Sequence, residues 1–281
     1  MSWIGILAFL MAQSMASDVP VCQTGSLNSV RVATLNLMTT EVSHSKFFGT
    51  WESRSTAIAE WSFHQQIDVL ATQEGTEAML ESLSAKNLKL QKIFRPRPAS
   101  DYKTEYTTLF YNPCKFQLLD QGEIWLSLTP DVPNSESWGT STARRSVWAH
   151  LQDKRTGKDI FVFDAHFDHK SKIAREESAK LMLQSIDRIA GNRSVVLMGD
   201  LNVKSGEQTQ ALLKARMLDT RSSSVTPPKG SESTFIIGGW RFDYILTDVN
   251  TTACAYEVQM PRTKLGFLVS DHQPVVVDLE I

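Results

Sequence analysis

The chain has 281 residues, 42% hydrophobic and 21% charged, which supplies enough apolar material for a large core. Its formal charge is −2 and its pI is near 6.3, so no global field draws it to nucleic acid or to an anionic membrane. A phosphate-rich ligand would have to be held by local basic groups and a metal. Three cysteines, Cys22, Cys114 and Cys254, exclude a disulfide framework and allow one bridge, with the pairing left open.

Residues 1–16 read as a secretory signal. Ile4 to Met11 is an apolar core well short of the roughly 20 residues of a membrane span, and Ser14 and Ala16 are the small residues a signal peptidase reads. Residues 17–29 form a polar leader and residues 30–281 one domain, which is expected to be exported to a periplasmic or extracellular location.

Val30 to Leu37 is an apolar run with residues for both faces of a strand, and it ends on Asn36, whose amide needs partners if buried. A helix over Trp51 to Gln65 follows, with Ile58 and Trp61 inward, then a strand from Ile67 that runs straight into Glu74. Glu77 to Ala85 is a second helix. The cluster Lys86, Lys89, Lys92, Arg95 and Arg97 reads as a solvated face, with a phosphate-facing rim as the alternative. Strands over Tyr106 to Tyr111 and Lys115 to Leu126 turn at Asn112-Pro113. The long Pro- and Ser-rich loop Thr129 to Ser141 delivers Arg144 and Arg145 to a strand ending near Leu151.

Asp159 to His166 is again an apolar strand running into polar residues, Asp164, His166, Asp168 and His169. The helix Lys172 to Ala190 places Ala179, Met182, Leu183, Ile186 and Ala190 on one face, and Gly191 stops it. Val195 to Met198 is a short β-branched run, followed by Gly199-Asp200-Leu201-Asn202. In an extended backbone Asp200 and Asn202 leave the same face, where a carboxylate and an amide can fix a water and a cation; an ordinary Asp/Asn turn is the alternative. Gly199 permits a close approach to the backbone. A short helix over Glu207 to Ala215, a Ser- and Pro-rich loop over Ser222 to Ser233, and a strand from Trp240 to Leu246 with Asp243 inside it come next. Ala253 to Val258 is a further strand, and Ser270-Asp271-His272 opens the last, Val275 to Leu279.

Six segments from Asn36 to His272 thus place a carboxylate, amide or imidazole at or near a strand end, and strand ends on one side of a sheet converge on one cleft. A site drawing on the whole length argues for one domain. The ligand set is rich in oxygen, with Glu74, Asp271 and Asn36 foremost and Asp200 and Asn202 nearby, which favours Mg²⁺ or Mn²⁺ over Zn²⁺.

Asn36 in Thr34-Leu35-Asn36-Leu37, Gln73-Glu74, His166-Phe167-Asp168, Gly199-Asp200-Leu201-Asn202, Asp243-Tyr244-Ile245 and Ser270-Asp271-His272 resemble, in this order, the motifs of the endonuclease/exonuclease/phosphatase superfamily, the DNase I-like metal-dependent phosphoesterases. Trp51-Glu52-Ser53-Arg54, Ile124-Trp125-Leu126-Ser127, Asp168-His169 and Ala174-Arg175-Glu176-Glu177-Ser178 resemble a secreted bacterial subgroup of it, whose substrates are mostly unassigned. The resemblance implies a four-layer α/β sandwich of two packed, mainly antiparallel sheets flanked by helices. It implies Glu74 as principal metal ligand, helped by Asn36 and Asp271, with Mg²⁺ or Mn²⁺ as cofactor. It further implies Asp243 orienting His272 beside the attacking group, Asp200 and Asn202 orienting the water, and His166 at a phosphate oxygen. Arg144 is the expected substrate clamp, since a guanidinium fits two phosphate oxygens; Arg145 is its competitor. The expected protein is a monomeric, exported phosphoesterase that acts by direct attack of water, without membrane insertion. Its phosphate-ester substrate is left open among DNA, RNA, lipid and small phosphoesters. The alternative is a non-catalytic phosphate-binding module on the same fold. His44, His64 and His150 are read as structural or surface residues; Asp168 is left open between bonding a loop and the metal, and His169 between a structural and a functional role.

Overall fold

Val30, Val32, Ala33 and Leu35 have no exposed surface, as a central strand covered on both faces requires. A computed structural model describes residues 29–40, 47–86, 89–93 and 105–281. The expected signal segment, nearly all of the leader, Cys22, His44, Arg95 and Arg97 lie outside the described residues. The elements in order are β1 (Ser29–Asn36), α1 (Trp51–His64), β2 (Val69–Gly75), α2 (Glu77–Lys86), β3 (Gln91–Ile93), β4 (Tyr106–Tyr111) and β5 (Phe116–Trp125). Then come β6 (Arg145–Asp153), β7 (Asp159–His166), α3 (Lys172–Ala190), β8 (Val195–Asp200), α4 (Gln208–Lys214) and β9 (Leu218–Asp219). The chain closes with α5 (Thr220–Ser223), β10 (Asp243–Thr247), β11 (Thr252–Val258) and β12 (Val275–Glu280).

Two six-stranded sheets form, in the orders β11-β12-β1-β2-β4-β3 and β5-β6-β7-β8-β10-β9. Among the pairings of these twelve strands, β1 with β2 and β7 with β8 are parallel and the others antiparallel. Val32, Val69, Leu109, Val162, Met198 and Val277 pack between the sheets. Ile58, Leu80 and Leu83 of α1 and α2 cover the outer face of the first sheet. Met182, Ile186 and Leu213 of α3 and α4 cover the second. The four-layer sandwich expected from the sequence is the observed fold.

α3 has the expected bounds. Ser171 caps it by accepting from the Ala174 amide, and Gly191, at φ 61°, ends it. Gly199 has φ 134°, and a Cβ there would meet the Ala165 carbonyl oxygen at 2.0 Å, so the close approach is made by the neighbouring strand β7.

Two local expectations are corrected. β10 begins at Asp243, because Trp240 pairs back with Phe235 to close a turn. The Phe242 and Asp243 amides both donate to the Thr234 hydroxyl. The chain also does not stay extended past Asp200: Asn202 has φ 50° and its amide donates to Asp200 Oδ1 at 3.0 Å. The Asp/Asn turn is therefore what forms, and the same-face argument for these two side chains does not hold. Of the basic cluster, Lys86 is bound to Glu52 at 2.9 Å and Lys92 to Glu81.

Candidate active site

The register of the second sheet sets three functional residues side by side: His166 pairs with Asp200, and Asp200 with Asp243. In the first sheet Asn36 pairs with Gln73, so Glu74 is the next residue beyond it. β2 shifts register against β4 between Thr72 and Gly75, and Glu74 within that irregularity has φ 61°. Such a bulge re-aims a side chain, here into a cleft of about 620 Å³ that His166, Asp200, Asn202, Asp271 and His272 also line.

The sheets meet through Asn36. Its Nδ2 donates to Glu74 Oε1 at 2.9 Å and to Asp200 Oδ2 at 3.0 Å, while its Oδ1 accepts from the Met38 amide at 2.9 Å. A ligating Asn36 would use Oδ1; in this arrangement it is a neutral donor between two carboxylates. Asn202 holds the end of β7, donating through Nδ2 to the Phe167 carbonyl at 3.1 Å.

His272 Nδ1 bonds Asp243 Oδ2 at 2.8 Å, and its Nε2 lies 3.8 Å from Asp200 Oδ2. Burial alone would lower the histidine's proton affinity, but the Asp243 and Asp200 carboxylates override it and raise it. Asp200 is raised too, by burial and by the charges of Asp243 and Glu74, with His272 opposing. Asp271 is raised by burial and by Glu74. Phe235 packs on the His272 ring, centroids 5.0 Å apart. This contact, and the Thr234 hydroxyl that starts β10, were not legible, because both residues end a Ser- and Pro-rich stretch with no period.

Arg144 Nη1 lies 2.9 and 3.0 Å from the two ring nitrogens of His166, and its Nη2 3.0 Å from His169 Nδ1. Equal distances to two nitrogens flanking one ring carbon put the guanidinium over the His166 ring. Burial and this cation lower the proton affinity of His169. Arg145 is committed elsewhere, bound to Glu123 at 2.8 Å and packed over Tyr106 and Trp125. His150 pairs with Asp159 at 3.1 Å and stacks on Phe161, a structural role as expected.

Asp168 organises the long loop. Its Oδ2 accepts from Thr140 Oγ1, Ser141 N and Ser141 Oγ at 2.9, 2.8 and 2.6 Å, and its Oδ1 from Lys170 N and Ser171 N at 2.9 and 2.6 Å. Burial opposes ionisation, but these bonds hold the carboxyl well below the usual range. A carboxylate so occupied has no lone pair left for a cation. Cys114 is free and exposed, and Cys254 is disulfide-bonded.

The donor set suits a divalent cation. Glu74, His166 and Asp200 offer ligand atoms within 4.8 Å of one another, and crowded acids whose like charges raise one another gain from a cation between them. Asp271 lines the same cleft. Hard oxygen donors with one imidazole fit Mg²⁺ or Mn²⁺.

The model of the Endonuclease/Exonuclease/phosphatase family matches residues 47–272. The fold is similar to an endonuclease/exonuclease/phosphatase from Bacteroides vulgatus, 27% identical, with TM-score 0.83 over 90% of this chain and 99% of that one. It is also similar to a mannosyl-6-phosphatase from Bacteroides thetaiotaomicron, 28% identical, with TM-score 0.80 over 90% and 100% of the two chains. D. rerio TDP2 in complex with a single-strand DNA product shares the fold at 14% identity, with TM-score 0.72 over 90% and 99%. Uncharacterized protein L388 of Acanthamoeba polyphaga mimivirus is 27% identical over 186 residues, 60% of this chain and 66% of that protein, so the match spans just under two thirds of that relative.

Proposed function

Because the chain belongs to the endonuclease/exonuclease/phosphatase family, whose members are phosphoesterases, we propose that it is a divalent-metal-dependent phosphoesterase that hydrolyses a P–O bond by direct attack of water. The observation that carries this reading is the convergence of Glu74, Asp200, the Asp243–His272 pair, His166 and Arg144 on one cleft. Glu74, with Asp271 and Asp200 around it and the Asn36 amide bridging Glu74 and Asp200, would hold Mg²⁺ or Mn²⁺, which when bound supplies Lewis-acid relief of the charge on the phosphate.

The remaining work falls to the chain's own groups. Asp200, whose proton affinity is raised, accepts a proton from the attacking water, and the Asn202 amide fixes its Oδ1 so that Oδ2 faces the cleft. Asp243 keeps the His272 Nδ1–H directed inward, leaving Nε2 to donate to a phosphate oxygen as negative charge grows. Arg144 and His166, the latter on the strand beside Asp200, bind the non-bridging oxygens. Monomeric state and export after residue 16 belong to the same proposal and rest on sequence.

Because the chain is similar to the mannosyl-6-phosphatase, a phosphorylated sugar is the first substrate to try. Nucleic acid stands second, because the net charge of −2 gives no global attraction for a duplex and Arg145, Lys86 and Lys92 are paired with carboxylates. The test is hydrolysis of sugar 6-phosphates, single- and double-stranded DNA, RNA, a phospholipid and a chromogenic phosphodiester with Mn²⁺ or Mg²⁺. His272→Ala and EDTA serve as controls. Turnover of one class, abolished by both controls, is expected; an active His272→Ala variant would sink the mechanism.

A further inference from the structure

Arg54 has no exposed surface, and no described carboxylate lies within 4.0 Å of its guanidinium. Burying a cation with no carboxylate paired to it directly is costly, and the fold recovers that cost only through well-made hydrogen bonds. Here the bonds go to backbone. Nη1 donates to the carbonyls of Leu37 at 2.7 Å and Val269 at 2.9 Å, and Nη2 to that of Met38 at 3.1 Å. The guanidinium lies over Trp51, 5.0 Å from the ring centroid, which accounts for the Trp51-x-x-Arg54 spacing on the first turn of α1.

These three carbonyls belong to the two segments that carry the site. Leu37 and Met38 follow Asn36 directly, and Val269 precedes Ser270-Asp271-His272. Successive carbonyls of a strand point to opposite sides; Met38, at φ 53°, turns the second so that one guanidinium meets both. The Ser270 hydroxyl closes the same gap, donating to the Asn36 carbonyl at 2.6 Å and accepting from the His272 amide at 3.0 Å. Thr39, next after Met38, donates its amide to Glu74 Oε2 at 3.3 Å.

We propose that Arg54 is the positioning residue of the cation site, fixing the turn after Asn36 against the turn before Asp271; this rests on the function proposed above. It touches neither cation nor substrate and acts through the backbone that aims Asn36, Glu74 and Asp271. Groups one shell away from a metal typically change its affinity by about 10- to 100-fold. Arg31, at the other end of β1 and paired with Asp278 at 2.6 Å, supplies the control for stability alone.

The experiment measures Mn²⁺ binding to the full chain by electron paramagnetic resonance, with melting temperature alongside, for wild type, Arg54→Met, Arg54→Lys and Arg31→Met. Arg54→Met should bind Mn²⁺ at least about tenfold more weakly. Arg54→Lys, which keeps the charge but cannot span three carbonyls, should fall between it and wild type. Arg31→Met should lose stability with Mn²⁺ affinity unchanged. A folded Arg54→Met with wild-type Mn²⁺ affinity overturns the proposal; if that variant does not fold, wild-type affinity in Arg54→Lys does so. Wild-type protein that binds no Mn²⁺ overturns the metal reading itself, an outcome distinct from the first.

Discussion

Replacing Asp168 by Asn tests whether this carboxylate is the clamp of the long loop. The variant keeps size and shape, and its single Oδ1 can still accept from the Lys170 and Ser171 amides. Its NH₂ then faces the Ser141 amide, donor against donor. The Thr140 and Ser141 hydroxyls can rotate to accept, but each exchanges a charge-assisted bond for a neutral one. One buried N–H left unpaired costs about 1–3 kcal/mol and each weakened bond about 1 kcal/mol, giving a loss of about 3–5 kcal/mol. At about 2–4 °C per kcal/mol for a large domain, the melting temperature should fall by about 6–20 °C, and chymotrypsin should cut the loop after Trp138 sooner. The pH dependence carries the sign. The folded carboxyl is held below its unfolded value, so its contribution is complete above the unfolded pKa near about 4 and is lost as pH falls through the lower folded value. The gap between wild type and Asp168→Asn should therefore be flat from neutral pH down to about pH 5 and close below about pH 4. Melting within 2 °C of wild type at pH 7, or a gap that widens in acid, would refute the clamp.

Asp243→Asn should cut kcat by about 10²–10⁴-fold, because the amide cannot hold the His272 proton in place; steady-state kinetics at saturating metal, on protein with an unchanged melting curve, checks this. Gly199→Ala should cost about 3 kcal/mol or more, since its Cβ has no room against the Ala165 carbonyl at a φ disfavoured for L-residues, and chemical denaturation would show it. Asp164→Asn should melt at or above the wild-type temperature at pH 7. Burial raises the Asp164 carboxyl well above its ordinary value, so wild-type stability falls as pH rises from the unfolded pKa toward the folded one, and the amide removes that slope. A flipped Gln73 would give the new NH₂ its Oε1, which has no partner now.

The sites of chemistry were legible for a physical reason. A polar side chain at the end of an apolar run is costly unless something meets it, and six such ends in one chain imply that they meet each other. What could not be read was who meets whom. Asn36 joins Glu74 and Asp200 because two sheets face each other, and no local pattern carries an inter-sheet distance. Asp168 is matched by Thr140 and Ser141 in a loop without periodicity, so a bond to a loop could be read but not its partners. Glu74 reaches the cleft through a positive-φ bulge, whereas its sequence neighbourhood reads as regular strand.

Strand direction is encoded in where these residues stand. Asn36, Glu74, His166 and Asp200 end their strands or stand one residue from the end. Asp243 begins β10, and Asp271 and His272 precede β12. Functional groups that share one edge must end the strands running toward it and begin the strands running away. The first four strands are thereby assigned one direction and the last two the opposite. The pairings obey this: β1 with β2 and β7 with β8 are parallel, while β10 runs against β8 and β12 against β1. A strand from Trp240 to Leu246 would hold Asp243 in its middle, and a residue in mid-strand carries no direction; the observed start at Asp243 restores it. The Thr234 hydroxyl, by taking the amides of Phe242 and Asp243, fixes where β10 starts and so which way the carboxylate that orients His272 must face.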